Sequence, residues 1–179
     1  MSLVFEPDSI PEDEGLPVDL TEKKSHFQID PKDCSLAADV DITGHLTKVG
    51  AEVFFRGEFT TTLNLACSRC LEAFQSGASA KVSACFLQKS EAKESPDELG
   101  LDPRDIEVEF YSENKLDLTQ PIYDQILLTL PFIPLCKPDC QGLCPQCGIN
   151  LNLDSCHCSA ESDVDPRLAV LQQLKEKIK

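Results

Sequence analysis

The stretch Ala51-Glu-Val-Phe-Phe-Arg-Gly-Glu-Phe-Thr-Thr-Thr-Leu-Asn-Leu65-Ala-Cys67-Ser-Arg-Cys70 decides how this chain folds. Ala51, Val53, Phe55, Phe59, Leu63 and Leu65 share one phase, and Glu52, Arg56, Glu58, Thr60, Thr62 and Asn64 take the other. Successive side chains of a strand point to opposite faces, so this period of two marks an antiparallel strand with one wet face. The strand runs straight into Cys67-Ser-Arg-Cys70, two thiols at the spacing of a metal knuckle, placed where the chain has to turn. A sheet with metal-ligand chemistry at one of its corners is the expectation that follows.

The same alternation extends in both directions. Upstream, Leu36, Ala38, Val40, Ile42 and Leu46 oppose Asp39, Asp41, Thr43 and His45, with a turn at Lys48-Val49-Gly50. Downstream, a third strand runs from about Phe74 to Leu87 with Ala78, Ala80, Val82, Ala84 and Phe86 on one side, and Ile106, Val108 and Phe110 give a fourth. Residues 89–104 are polar and carry Pro96 and Pro103, the signature of a loop. Leu118, Ile122, Ile126, Leu127 and Leu130 recur at helical spacing, capped by Asp117 or Thr119, with Pro121 tolerated in the first turn. Asp165-Pro166 opens a terminal helix striped by Leu168, Leu171, Leu174 and Ile178. The expected class is α+β: an antiparallel β-sheet or meander body with a helix, then a C-terminal Cys-rich, zinc-ribbon-like module and a terminal helix. The boundaries read 1–33 for an acidic N-terminal arm, irregular apart from a short strand near Leu3-Val4-Phe5; 34–135 for the β body with its helix; and 136–179 for the zinc-binding module.

Eight of the ten cysteines form four close pairs: Cys67 with Cys70, Cys136 with Cys140, Cys144 with Cys147, and Cys156 with Cys158. Four thiolates close one tetrahedral zinc site, so eight residues are the expected ligands of two structural Zn²⁺ ions. Disulfides and an iron–sulfur cluster are the competing uses of such pairs. The start of the chain is acidic and broken by Pro7, Pro11 and Pro17, without the apolar core of a secretory leader, and no segment has the length of a membrane span. The resulting expectation is a cytoplasmic chain whose thiols stay reduced. Cys144, Cys147, Cys156 and Cys158 suit a compact local site, which leaves Cys136 and Cys140 to meet Cys67 and Cys70 from far upstream. The competing division is one C-terminal zinc chosen from six cysteines. His157, between Cys156 and Cys158, is an alternative ligand to either, and Cys34 and Cys85 read as thiols that pack as small hydrophobes.

Charge and motifs exclude several function classes. The net charge is −15 and unevenly placed: residues 1–30 hold eight acids against two lysines, and residues 91–135 eleven acids against three bases. Non-specific nucleic-acid binding depends on basic groups neutralising phosphates, so this balance argues against it and favours a basic partner. Arg69 and Lys137 lie inside the cysteine loops, where they read as cations offsetting thiolate charge, the alternative being a local basic spot for nucleic acid. No His-Glu-x-x-His, glycine-rich phosphate loop or nucleophile elbow is present, so no catalytic residue, no small-molecule substrate and no enzymatic activity are expected.

Four segments together resemble the bacterial YceD family, the large-subunit ribosomal RNA accumulation proteins. They are Leu65-Ala-Cys67-Ser-Arg-Cys70-Leu-Glu-Ala-Phe74, Leu130-Pro-Phe-Ile-Pro-Leu-Cys136, Cys140-Gln-Gly-Leu-Cys144-Pro-Gln-Cys147-Gly-Ile-Asn-Leu-Asn152, and Asp165-Pro-Arg-Leu-Ala-Val-Leu171. The resemblance covers roughly residues 34–178. It implies a non-enzymatic ribosome-biogenesis factor supporting accumulation or processing of large-subunit (23S) ribosomal RNA. Its implied partners are the large-subunit RNA precursor, a basic ribosomal protein, or both. The residues alone leave two other classes open: a zinc-ribbon protein-interaction module in transcription or another process, and a zinc thiol redox switch.

Overall fold

The computed structural model describes residues 3–27, 29, 34–88 and 108–158. The loop expected over 89–104, the start of the fourth strand at Ile106 and the terminal helix from Asp165 lie outside the described residues. The chain forms two compact units, Met1–Cys140 and Gln141–Lys179.

In chain order the first unit holds β1 (Val4–Phe5), β2 (Leu16–Glu22), β3 (Cys34–Leu36), β4 (Val40–Val49), β5 (Glu52–Ala66), β6 (Ala73–Gln88), β7 (Val108–Tyr111), β8 (Leu116–Asp117) and α1 (Thr119–Leu128). Six strands form one sheet in the order β2-β4-β5-β6-β7, with β3 also on β5, while β1 and β8 make a separate pair. β5 and β6 pair from Glu52↔Leu87 to Ala66↔Ala73 and form the spine of the sheet. The phase read from the sequence is the phase observed. Ile42, Leu46, Val53, Phe55, Phe59, Leu63, Val82 and Phe86 are buried on one face, and α1 packs against β6 and adds Leu118, Ile122 and Ile126 to the same core. Each such side chain contributes about 1.5–3 kcal/mol of transfer free energy. The helix N-cap is Leu118, not Asp117 or Thr119 as the sequence suggested, and the Oδ1 of Asp117 accepts from the Thr119 amide at 2.8 Å just ahead of it.

Gly44 and Gly57 face each other across β4 and β5, and a Cβ on Gly57 would stand 2.4 Å from the Thr43 carbonyl and 2.7 Å from the Phe55 ring. The two missing side chains leave room for that ring to lie over the backbone. The β4–β5 turn falls at Gly50-Ala51, with Gly50 at φ +61, as a two-residue hairpin with glycine in its first central position demands.

Three features depart from the sequence reading. Residues 16–22, expected to be irregular, form β2 and pair with β4 from Leu16↔Leu46 to Glu22↔Val40. Pro17 lacks an amide hydrogen, but an edge strand does not need one on its outer side. The strand expected through Leu36 and Leu46 is split at 37–39, where the Ala37 and Ala38 amides both reach the Thr62 carbonyl, so Ala38 is exposed. The buried Thr61 hydroxyl donates to the carbonyls of Ala38 and Asp39 and holds this break in place. Finally, the sheet is mixed and not antiparallel throughout, because β7 runs parallel to β6 from Cys85↔Val108 to Gln88↔Tyr111. A parallel neighbour needs a crossover of a dozen or more residues, and the chain between Gln88 and Val108 is long enough.

Candidate metal centres

The structure gathers the eight paired cysteines into two groups of four: Cys67, Cys70, Cys136 and Cys140 in the first unit, and Cys144, Cys147, Cys156 and Cys158 in the second. Within each group all sulfurs lie within 4.8 Å of one another. The close Sγ pairs are Cys67–Cys140 at 3.7 Å, Cys70–Cys136 at 3.6 Å, Cys147–Cys156 at 3.6 Å and Cys144–Cys156 at 3.3 Å. A disulfide needs about 2.05 Å. Four sulfurs around one tetrahedral cation at about 2.3 Å stand roughly 3.8 Å apart, close to what is seen here. None of the ten cysteines forms a disulfide.

Both Cys-x-x-Cys turns are built alike. The Cys67 amide donates to the Glu72 carbonyl at 2.9 Å and the Leu71 amide to the Cys67 carbonyl at 2.9 Å. The Cys144 amide donates to Ile149 at 2.8 Å and the Gly148 amide to Cys144 at 2.9 Å. In each, the residue after the second cysteine is left-handed, Leu71 at φ +62 and Gly148 at φ +73. This turn aims the two sulfurs and the intervening amides at one point.

The first centre joins distant parts of the chain. β5 and β6 present Cys67 and Cys70 at their shared corner. Pro131 and Pro134 break the helix and lead the chain back alongside, where the Pro134 carbonyl accepts from the Ser68 amide at 2.8 Å. The Arg69 guanidinium donates to the Cys140 carbonyl at 2.9 Å, placing a positive charge beside the sulfurs. Cys67, Cys70 and Cys140 are buried and Cys136 is half-buried.

The second centre is local and more open, with Cys147 and Cys158 exposed. It is framed by the Leu143↔Asn150 bridge, by the Leu151 amide on the Gly142 carbonyl at 2.9 Å, and by the Gln141 amide on the Asn152 Oδ1 at 3.0 Å. His157 is exposed and is not part of this group of four.

Electrostatics divide each quartet in the absence of a cation. The Cys70 amide hydrogen-bonds the Cys67 sulfur and brings its pKa down to about 6, and the Cys147 amide does the same for Cys144. Burial pushes Cys136 up to about 12, and the neighbouring Cys156 sulfur pushes Cys158 up to about 12. Four thiolates this close repel one another, and a divalent cation is what lets all four ionise. The quartets could therefore hold metal ions. Cys34 on β3 and Cys85 on β6 are half-buried, and burial raises both thiols. No helix among the described residues is long and apolar enough to cross a membrane.

The family model described as "Large ribosomal RNA subunit accumulation protein YceD" matches residues 55–175. Proteins of Mycobacterium tuberculosis and Mycobacterium bovis, both described as uncharacterized, are 35% identical over 108 residues, which is 60% of this chain and 48% of theirs. A protein of Zea mays described as "Large ribosomal RNA subunit accumulation protein YCED homolog 1, chloroplastic" is 40% identical over 48 residues, 26% of this chain and 16% of its own. The chain thus spans about half the length of the mycobacterial relatives it matches. No solved structure matches.

Proposed function

Because the chain belongs to the YceD family, we propose that it is a non-enzymatic ribosome-biogenesis factor supporting accumulation or processing of large-subunit (23S) ribosomal RNA. The observation that carries this reading is the family match over residues 55–175, which spans all eight paired cysteines. Its place of action is the cytoplasm, and its direct contact is the large-subunit RNA precursor, a basic ribosomal protein, or both. The net charge of −15 favours a basic protein surface for at least part of that contact.

The same reading assigns the two quartets to structural Zn²⁺, one ion each. Cysteine-only donors and near-tetrahedral spacing suit zinc, and four ligands close each site, leaving no position for a substrate. Cys67, Cys70, Cys136 and Cys140 would hold one ion, tying the sheet corner to the end of the first unit; Cys144, Cys147, Cys156 and Cys158 would hold the other.

Removing the gene and measuring the 23S to 16S ratio, together with the sedimentation of the protein on sucrose gradients, tests the role. The expected result is a fall in 23S RNA that the intact chain restores, with the protein travelling in pre-50S fractions. An unchanged ratio and a protein confined to the top of the gradient would overturn it.

A further inference from the structure

We propose that the outer edge of β6, from Phe74 to Ala84, is a docking edge for an extended, basic polypeptide segment of a partner protein. β6 is bonded to β5 along one side from Ala73 to Leu87, whereas on its other side β7 occupies only Cys85 to Gln88. Among the described residues, no strand lies on the outer side before Cys85. In an antiparallel pair, alternate residues turn both their N–H and C=O groups away from the neighbour, so about five residues of this run aim a donor and an acceptor outward. Such a row is a template for an added strand.

The two sheet edges are treated differently. β2 carries Pro17 in its first turn of pleat and Asp19 in its middle, features that discourage pairing. The open run of β6 has no proline, and its single charge, Lys81, faces Glu58 across the strands.

Charge names the occupant. Where the open edge meets β7, a cleft of about 290 Å³ is lined by Lys81, Ala84, Glu109, Pro121, Asp124 and Gln125. Asp124 and Asp117 both act on the Glu109 carboxyl, and none of the three acids forms an ion pair among the described residues. Glu109 and Asp124 against Lys81 leave the lining with one net negative charge. A lysine or arginine carried by a strand laid along β6 would place its cation there, while backbone pairing supplies the remaining contacts. This edge is separate from the cysteine quartets and does not depend on the ribosomal role.

The test uses the full chain and a fluorescent peptide of about twelve residues alternating lysine with valine and threonine, a length that spans the open run. The expected result is saturable binding at low salt, with amide NMR shifts concentrated between Phe74 and Ala84. A glutamate-for-lysine peptide and the exposed-site variant Asp124→Lys should each weaken binding about tenfold. Binding with shifts elsewhere, or equal binding of the glutamate peptide, would overturn the proposal. Hydrogen exchange of the chain alone checks the other occupants, since outward amides of β6 should exchange fast. Slow exchange that persists on dilution would mean that the chain covers its own edge, and slow exchange lost on dilution would mean a second copy; either result also overturns it.

Discussion

Leu71 and Gly148 follow the second cysteine of their turns, in the same left-handed conformation and with the same hydrogen bonds. For an L side chain this conformation costs about 1–2 kcal/mol, which glycine avoids. Gly148→Ala should therefore lower stability by about 1 kcal/mol through backbone strain alone, because open space surrounds the position. Leu71→Gly relieves strain but also loosens the unfolded chain, so its gain should be smaller, about 0.5 kcal/mol. Denaturant midpoints of the metal-loaded protein measure both. Gly57 presents the opposite problem, a steric one, since its Cβ would collide with the Thr43 carbonyl and the Phe55 ring. Gly57→Ala should cost about 1–3 kcal/mol, and a neutral result would show that the Phe55 ring is not fixed over that gap.

At the scale of elements, β7 carries a titratable side chain in an unfavourable place. Burial raises the pKa of Glu109, and Asp124 and Asp117 raise it further. A carboxyl that holds its proton more tightly when folded contributes nothing unfavourable at acid pH. It costs stability as pH rises from the ordinary carboxylate value through its own raised one. Glu109→Gln should thus match the wild type near pH 4 and exceed it at neutral pH; a pH-independent gap in urea midpoints would point to packing instead. The strands β4, β5 and β6 were legible because each keeps a period of two over ten residues or more. β2 was not, although Leu16, Val18 and Leu20 alternate, because Pro17 and the surrounding acids look like a loop until an edge position excuses them. The direction of β7 was also hidden. Alternation in Val108-Glu-Phe-Tyr111 marks a strand, but whether it runs parallel depends on how the preceding chain crosses over.

For the whole molecule, spacing made the cysteine groups legible. Two pairs separated by a short loop suit a compact local site, which left Cys136 and Cys140 to meet Cys67 and Cys70; spacing alone also allowed a single C-terminal site chosen from six cysteines, and the structure displays the first grouping. Metal analysis should return two zinc ions per chain and one in the Cys67→Ser, Cys70→Ser double variant; one ion in both would refute the proposed assignment. The units should also differ in their need for metal. Among the described residues of Gln141–Lys179, Cys144 is the one buried hydrophobic side chain, whereas the first unit has the sheet core. Chelation should expose residues 141–158 to protease while the sheet persists, and equal resistance with and without chelator would contradict this. Filling the first centre with the proposed ion would also tie Cys70 to Cys136, 66 positions away, a constraint on the unfolded chain worth about 4 kcal/mol. That separation matters during synthesis as well as after it. At roughly 5–20 residues per second, Cys67 and Cys70 emerge several seconds before their partners exist. For that interval the nascent chain carries half a centre, two thiols open to oxidation or to a borrowed ligand, so if zinc fills the quartet as proposed, its supply together with reductant during synthesis would govern whether the sheet is ever tied shut.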